Sequence, residues 1–226
     1  MGTLMLRLAG PLQAWGADSK FEVRRTGPMP TKSGVVGLLA AALGRRRDAD
    51  LEDLCQLRFG VRIDQEGHLL RDLHTARKDE KTSYLTQRYY LEDAVFLVGL
   101  ESEDEDFLFA LNNALQKPAH PLFLGRRACP PLPPLPLGIR SAPLLDALRA
   151  EPWLVPEWRK RSLHGELPIY MDAAENQKNA APVQDVPVSF DPHHRRYRFR
   201  TAVACGTVCV EQNRETAQHD AMAELR

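Results

Sequence analysis

The chain has 226 residues, 43% hydrophobic and 27% charged, and its 30 basic and 30 acidic residues give a formal net charge of +0. That length and balance fit one large or two small globular, soluble domains, and they leave nucleic-acid binding to wherever the charge is concentrated. Four cysteines without a CxxC pair, and histidines without ligand spacing, exclude a disulfide framework and a structural zinc site. No apolar run is long enough to span a bilayer and no signal peptide is evident, so a cytoplasmic location with no membrane contact, no cofactor and no metal is expected.

Base clusters at Arg24-Arg25, Arg45–Arg47, Arg126-Arg127, Arg159–Arg161 and Arg195–Arg200, while acid is concentrated at Glu101–Asp106. In chain order, Thr3–Ala9 alternates as a half-buried strand, Gly10-Pro11 ends it, and Leu12–Gly16 reads as a loop exposing polar and aromatic groups. Phe21–Arg25 reads as a short extended piece. Pro30–Gly44 then predicts a core helix that starts near an N-cap at Thr31 or Ser33 and stops at Gly44. Lys32, Ser33, Gly34 and Gly37 sit at its first turns. They suit an anion at unpaired backbone N–H groups, or else the glycines only allow close helix–sheet packing.

A short helix from Asp48 to about Gln56 precedes the strand Leu57–Asp64, with Leu57, Phe59, Val61 and Ile63 facing in and Arg58, Gly60, Arg62 and Asp64 facing out. The legs Leu70–Thr75 and Tyr84–Leu91 predict a long hairpin whose charged tip carries Arg77, Lys78 and Lys81. Next come a strand at Ala94–Leu100 and a helix opened by a Ser102–Glu105 capping box. Gly125-Arg126-Arg127 and a proline-rich extended segment follow. The order is βαββαβ, so the expected class is α+β, ferredoxin-like or RNA-recognition-like, with one large insertion. Beyond it, a helix at Ala142–Ala150, core anchors Trp153 and Trp158, a strand at Ile169–Met171, a polar loop over Asp172–Gln184 and a strand over His194–Val210 are predicted.

Several segments together resemble the CasD family, a subunit of the type I-E CRISPR Cascade complex. They are Leu6–Gly16, Pro30–Leu39, Asp72-Leu73-His74-Thr75 and Leu124–Pro130. The resemblance implies a RAMP-type ferredoxin-like domain over residues 1–140 with a thumb insertion at about 66–91. A smaller C-terminal region at 141–210 and a flexible tail at 211–226 follow. It further implies a non-catalytic subunit that holds the five-prime handle of the guide RNA and caps the backbone in antiviral defence. Its expected partners are the adjacent backbone subunit, the large subunit and, through the complex, target DNA. The alternative is a metal-independent endoribonuclease acting on CRISPR precursor RNA.

On that resemblance the helix end at Lys32, Ser33, Gly34 and Gly37 becomes a phosphate cradle. Arg7 lies on a sheet face that meets nucleotides unless another subunit covers it. Gln13 and Trp15 contact a splayed base, with a core anchor as the equal alternative for Trp15. Arg24, Arg25, Arg126 and Arg127 meet phosphates, the last two from a Gly-rich loop of RAMP type. Arg77 and Lys78 reach RNA from the thumb. His74 is either a general base or, more simply, a hydrogen-bonded histidine at the thumb's base.

Overall fold

The computed structural model describes residues 1–16, 19–20, 22–77, 79, 83–160, 163, 165–174, 177–191 and 193–210. Its elements run β1 (Gly2–Ala9), β2 (Leu12–Gln13), β3 (Ser19–Lys20), β4 (Val23–Arg24), α1 (Lys32–Ala42), α2 (Glu52–Gln56) and β5 (Arg58–Gln65). The hairpin β6 (His68–Arg77) and β7 (Ser83–Glu92) leads to β8 (Val95–Ser102), α3 (Glu105–Gln116) and β9 (Pro136–Arg140). The chain continues through α4 (Leu144–Ala150), α5 (Glu157–Lys160), β10 (Glu166–Asp172), β11 (Ala181–Ser189) and β12 (Arg196–Cys209). The expected tail at 211–226 lies outside the described residues, as do Lys78 and residues 80–82 of the hairpin tip.

The long sheet has the order β11-β12-β10-β5-β8-β1-β9, and every neighbouring pair is antiparallel. Helices pack on it, giving the mixed α and β architecture with antiparallel sheets that the sequence predicts. The region after residue 140 adds β10, β11 and β12 to this same sheet through pairing of β10 with β5. A second sheet sets β2, β4 and β6 against β7, with β3 beside β4. It holds the base of the hairpin.

Period-two alternation decides which side chains each helix meets. Leu4, Leu6 and Leu8 of β1, Phe59 and Val61 of β5, and Phe96, Val98 and Leu100 of β8 lie under α1 and α3. Each such fully buried leucine is worth about 1.5–3 kcal/mol relative to exposure. On the opposite face, Met5, Leu97, Ile169 and Met171 lie under α4. Gly60 and Gly99 stand opposite each other there, and a Cβ at either would come within 2.8 or 2.5 Å of Leu148 or Leu144. Those two glycines let α4 seat directly on the backbone.

That seating overturns one expectation for β5. Arg62 and Asp64, predicted to face solvent, are enclosed beneath the end of α4. Arg62 donates from Nε to Asp64 Oδ1 (2.7 Å) and from Nη2 to Oδ2 (2.9 Å). Its remaining donors reach the carbonyls of Leu148 (2.7 Å), Glu151 (2.6 Å) and Pro152 (2.8 Å), where a cation also suits the negative end of the helix. Asp64 accepts in addition from Leu154 N (2.8 Å). A buried ion pair survives only when its hydrogen bonds are completed in this way.

Other departures are local. The cap of α3 is Asp104, whose Oδ1 accepts from Phe107 N (2.9 Å), in place of a Ser102–Glu105 box. Trp153 is a core anchor, as expected, whereas Trp158 is 71% exposed on the single turn of α5. Strand β11 begins inside the stretch expected as a polar loop, because Val186 reaches the core beside α1.

Candidate nucleic-acid interface

Thr31 caps α1, its Oγ1 accepting from Gly34 N (3.2 Å). The Lys32 side of the first turn is not open to a ligand. Asp185 Oδ2 accepts from Lys32 N (2.8 Å), and Lys32 Nζ pairs with Asp172 Oδ2 (2.9 Å). Arg200 bridges both acids, with Nε and Nη2 to Asp185 (2.7 and 3.0 Å) and Nη1 to Asp172 (2.8 Å). Burial opposes the Arg200 charge, but the two carboxylates outweigh it and hold the guanidinium above its ordinary range. Two cations and two anions thus close a neutral cluster on the helix end. The expected cradle at Lys32 is corrected: the chain's own carboxylate already fills that place.

Gln13 and Trp15 are also corrected. Gln13 is 0% exposed, donates to the carbonyls of Leu8 (3.2 Å) and Ala94 (2.7 Å), and accepts from Trp15 Nε1 (3.0 Å). Nothing of its amide remains for a base. Trp15 is buried with its ring against α1, where a Cβ on Gly34 would come within 2.8 Å of ring carbons. Gly34 therefore serves this close packing. At Gly37 a Cβ would meet only Phe190, at 3.5 Å, an ordinary contact.

The face of α1 turned away from the sheet lines a groove of about 1330 Å³. Ser33, Gly34, Gly37 and Ala41 keep its floor low, and Phe123, Phe190 and Tyr197 stand along it. Among the described residues, seven arginines line it, Arg24, Arg45, Arg46, Arg47, Arg126, Arg127 and Arg195, together with His120 and without a carboxylate. From outside the lining, Asp53 accepts from Arg45 (Nη1 to Oδ1, 2.6 Å) and Asp48 from Arg46 (3.3 Å). The Arg45 bond lowers the Asp53 carboxyl and raises the guanidinium from their ordinary values. Both aspartates are largely exposed, and pairs of that kind are worth only about 0–1 kcal/mol, so they leave these arginines open to exchange.

Arg126 is different. Its Nη1 donates to Tyr89 O (3.0 Å), its Nη2 to Arg24 O (2.9 Å) and Arg25 O (3.1 Å), and its guanidinium lies 4.8 Å from the Tyr90 ring centroid. It fastens the Gly125 turn to the base of the hairpin instead of standing free for phosphate. Gly125, at φ +81, is what lets that turn pass against the Ala14 carbonyl. Arg127 beside it is exposed, as are Arg24 and Arg25, although Arg25 does not line the groove.

Of the predicted residues, the groove therefore brings together Arg24, Ser33, Gly34, Gly37, Arg126 and Arg127, with Trp15 beneath. Arg7 lies elsewhere, donating to Pro133 O (3.4 Å) on the face that α4 and Trp153–Val155 cover, so that sheet face is closed by the chain itself. His74 and Arg77 are out on β6, and His74 Nε2 pairs with Asp72. Lys78 lies outside the described residues. Arg45–Arg47, His120, Phe123, Phe190, Arg195 and Tyr197 were not predicted as site residues; only the two arginine clusters carried a signal in the sequence.

The hairpin presents a second surface. Register and alternation put Leu69, Leu73 and Leu85 on one face, and all three are exposed. No helix among the described residues is long and apolar enough to cross a membrane, and no group of His, Cys, Asp and Glu among them is arranged to hold a metal ion.

Residues 3–203 match the family described as CRISPR-associated protein (Cas_Cas5). The CRISPR system Cascade subunit CasD of Escherichia coli (strain K12) is 40% identical over 160 residues, covering 62% of this chain and 71% of that protein. Among solved structures, one described as a crystal structure of Cas protein is 42% identical at a TM-score of 0.68, covering 93% of this chain and 99% of its own. A chain of a CRISPR RNA-guided surveillance complex is 32% identical at a TM-score of 0.77, covering 94% and 95%.

Proposed function

Because the chain belongs to the Cas5 family of CRISPR-associated proteins, we propose that it is a non-catalytic Cascade subunit holding the five-prime handle of the guide RNA in the groove along α1. The observation that carries this reading is a groove lined, among the described residues, by seven arginines and no carboxylate over a floor of small residues. Phosphates need cations without competing anions, and a glycine-bearing helix face lets a backbone approach closely. In this reading β9-β1-β8-β5 with α1 and α3 is the ferredoxin-like RAMP unit, residues 1–140, and 141–210 is the appended smaller region. The order of those four strands supports it.

The hairpin is the thumb of this assembly. Ordering each backbone residue costs about 1–2 kcal/mol, and β6 has little of the chain's own core to rest on. Leu69, Leu73 and Leu85 dock on the adjacent backbone subunit, while Arg77 lies towards the RNA. The large subunit is a second direct partner and target DNA is reached through the complex, in the cytoplasm. Binding without cleavage is favoured over ribonuclease action because His74 stands on the exposed hairpin and does not line the groove. The groove's own histidine, His120, has no acid beside it in the lining.

The test is titration of repeat-derived RNA with the purified chain across a salt series. Four groove arginines without a carboxylate or carbonyl partner among the described residues (Arg24, Arg47, Arg127 and Arg195) predict a log–log slope of about −3 for single-stranded RNA. The RNA should also keep its full length with and without chelator. Salt-independent binding would remove the groove reading, and specific cleavage would restore the ribonuclease.

A further inference from the structure

We propose that the outer face of β12 is a stacking platform for single-stranded RNA, continuing the groove beyond Tyr197. The inference rests on the groove being an RNA site and assigns a subsite outside it. Tyr197 and Phe199 are two residues apart on one strand, so they share a face about 7 Å from each other. They are 36% and 65% exposed. The other face of the strand is fully engaged: Arg198 pairs with Glu52 (2.7 and 2.9 Å), and Arg200 with Asp172 and Asp185. The largely buried Arg200 pairs pin the strand at the start of α1 and leave the aromatic side outward.

Nothing of the described chain covers that side. The α4 layer ends over Met171, its in-register partner Val203 is the last buried residue of β12 in that direction, and Thr201 and Phe199 emerge beyond it. Across from Phe199 stands the uncharged Gln184, whose amide donates to Tyr197 O (3.3 Å). Arg195 and Arg196 are exposed, and neither has a carboxylate partner among the described residues. A single-strand path pairs cations for phosphates with aromatic rings for bases, and Arg195 and Arg196 beside Tyr197 and Phe199 have that pattern, with Arg198 turned to Glu52 on the other face. Arg195 and Tyr197 already line the groove, so the platform adjoins it at the start of β12.

The experiment compares two unstructured RNAs bound by the full chain, one just long enough for the groove and one extended by several nucleotides at either end in turn. Wild type should bind one of the extended RNAs more tightly than the short one. Phe199→Ala, which removes an exposed side chain and should melt as wild type does, should weaken that extended complex about tenfold, the loss of one base–aromatic stack. It should leave the short complex unchanged, and Phe199→Trp should restore the difference. Ultraviolet cross-linking should place the extra nucleotides on the peptide containing Phe199. Equal binding of every RNA by wild type and Phe199→Ala overturns the platform. So does a Phe199→Ala chain that binds RNA normally yet fails to join its complex, which would give the face to a protein. The groove reading is checked separately by Arg127→Glu on the short RNA: loss there with no effect at Phe199 sinks only the platform, and no loss there sinks the groove.

Discussion

On the α4 side of the long sheet, Arg62 is enclosed and gives its donors to Asp64 and three carbonyls. On the α1 side, Arg127 stands in an open groove whose lining, among the described residues, offers it no carboxylate. The same side chain thus serves two ends, and the solvent decides which. Removing a guanidinium from water forces the fold to complete its hydrogen bonds, so a buried arginine becomes a structural tie with nothing left for a partner. An arginine left in water needs no such completion, and its charge stays available to an incoming phosphate. Arg126 and Arg45 lie between these limits, the first used up by three carbonyls and the second half-neutralised by Asp53.

Substitutions on the two sides should separate stability from binding. The largest effect is expected for Arg62→Ala, which leaves Asp64 buried without its cation and should cost about 3–5 kcal/mol in denaturant unfolding. RNA affinity per folded molecule should stay at the wild-type value, and a variant that unfolds normally would show that the enclosed pair is dispensable. Next, Gly34→Ala pushes a methyl into the Trp15 ring and should lower stability by about 1–3 kcal/mol. Gly37→Ala, whose methyl would meet only Phe190 at an ordinary contact distance, should raise stability by up to about 1 kcal/mol through alanine's better helix propensity. Equal melting of the two would refute the distinction drawn between them.

On the groove side, Arg127→Glu should weaken RNA binding by roughly tenfold at low salt and flatten the salt slope by about 0.7, with no shift in melting temperature. The smallest effect is expected for Asp53→Asn. Releasing Arg45 from an exposed pair should tighten RNA binding by no more than about fivefold, the limit set by roughly 1 kcal/mol for such pairs. Weaker binding in that variant would mean that Asp53 holds Arg45 in its working position.

Much of the scaffold was legible because local pattern and long-range packing agree. The alternation of Leu4, Leu6 and Leu8, the apolar α1 closed by Gly44 at φ +74, and the two long legs of the hairpin all recur in the structure. What was not legible depends on chain far away. Arg62 and Asp64 read as a solvent face because α4, which buries them, lies more than eighty residues downstream. Lys32 read as a free cation because Asp172 and Asp185 are 140 and 153 residues further on. Trp15 and Gln13 read as a displayed loop, since nothing local shows that Trp15 folds under Gly34. The groove was half legible: Gly37, Arg24 and Arg127 could be picked from sequence, but Phe190 and Tyr197 reach it only once β11 and β12 have paired.

The closure of α1 by Asp185 also sets a timetable. At ordinary elongation rates, on the order of ten to thirty seconds pass between synthesis of Lys32 and synthesis of the acid that caps its helix. During that interval the nascent chain can pair β1, β5 and β8, but β5 keeps a bare edge until β10 arrives, and Lys32 has no counter-ion. Contacts so distant in sequence make folding slow, with the edge of β5 open to wrong partners until the last strands emerge. The wall bearing Phe190 and Tyr197 is among the last pieces made, so the groove is complete only after the rest of the sheet has formed. A nascent chain therefore exposes its arginines before it has the shape to select what they bind.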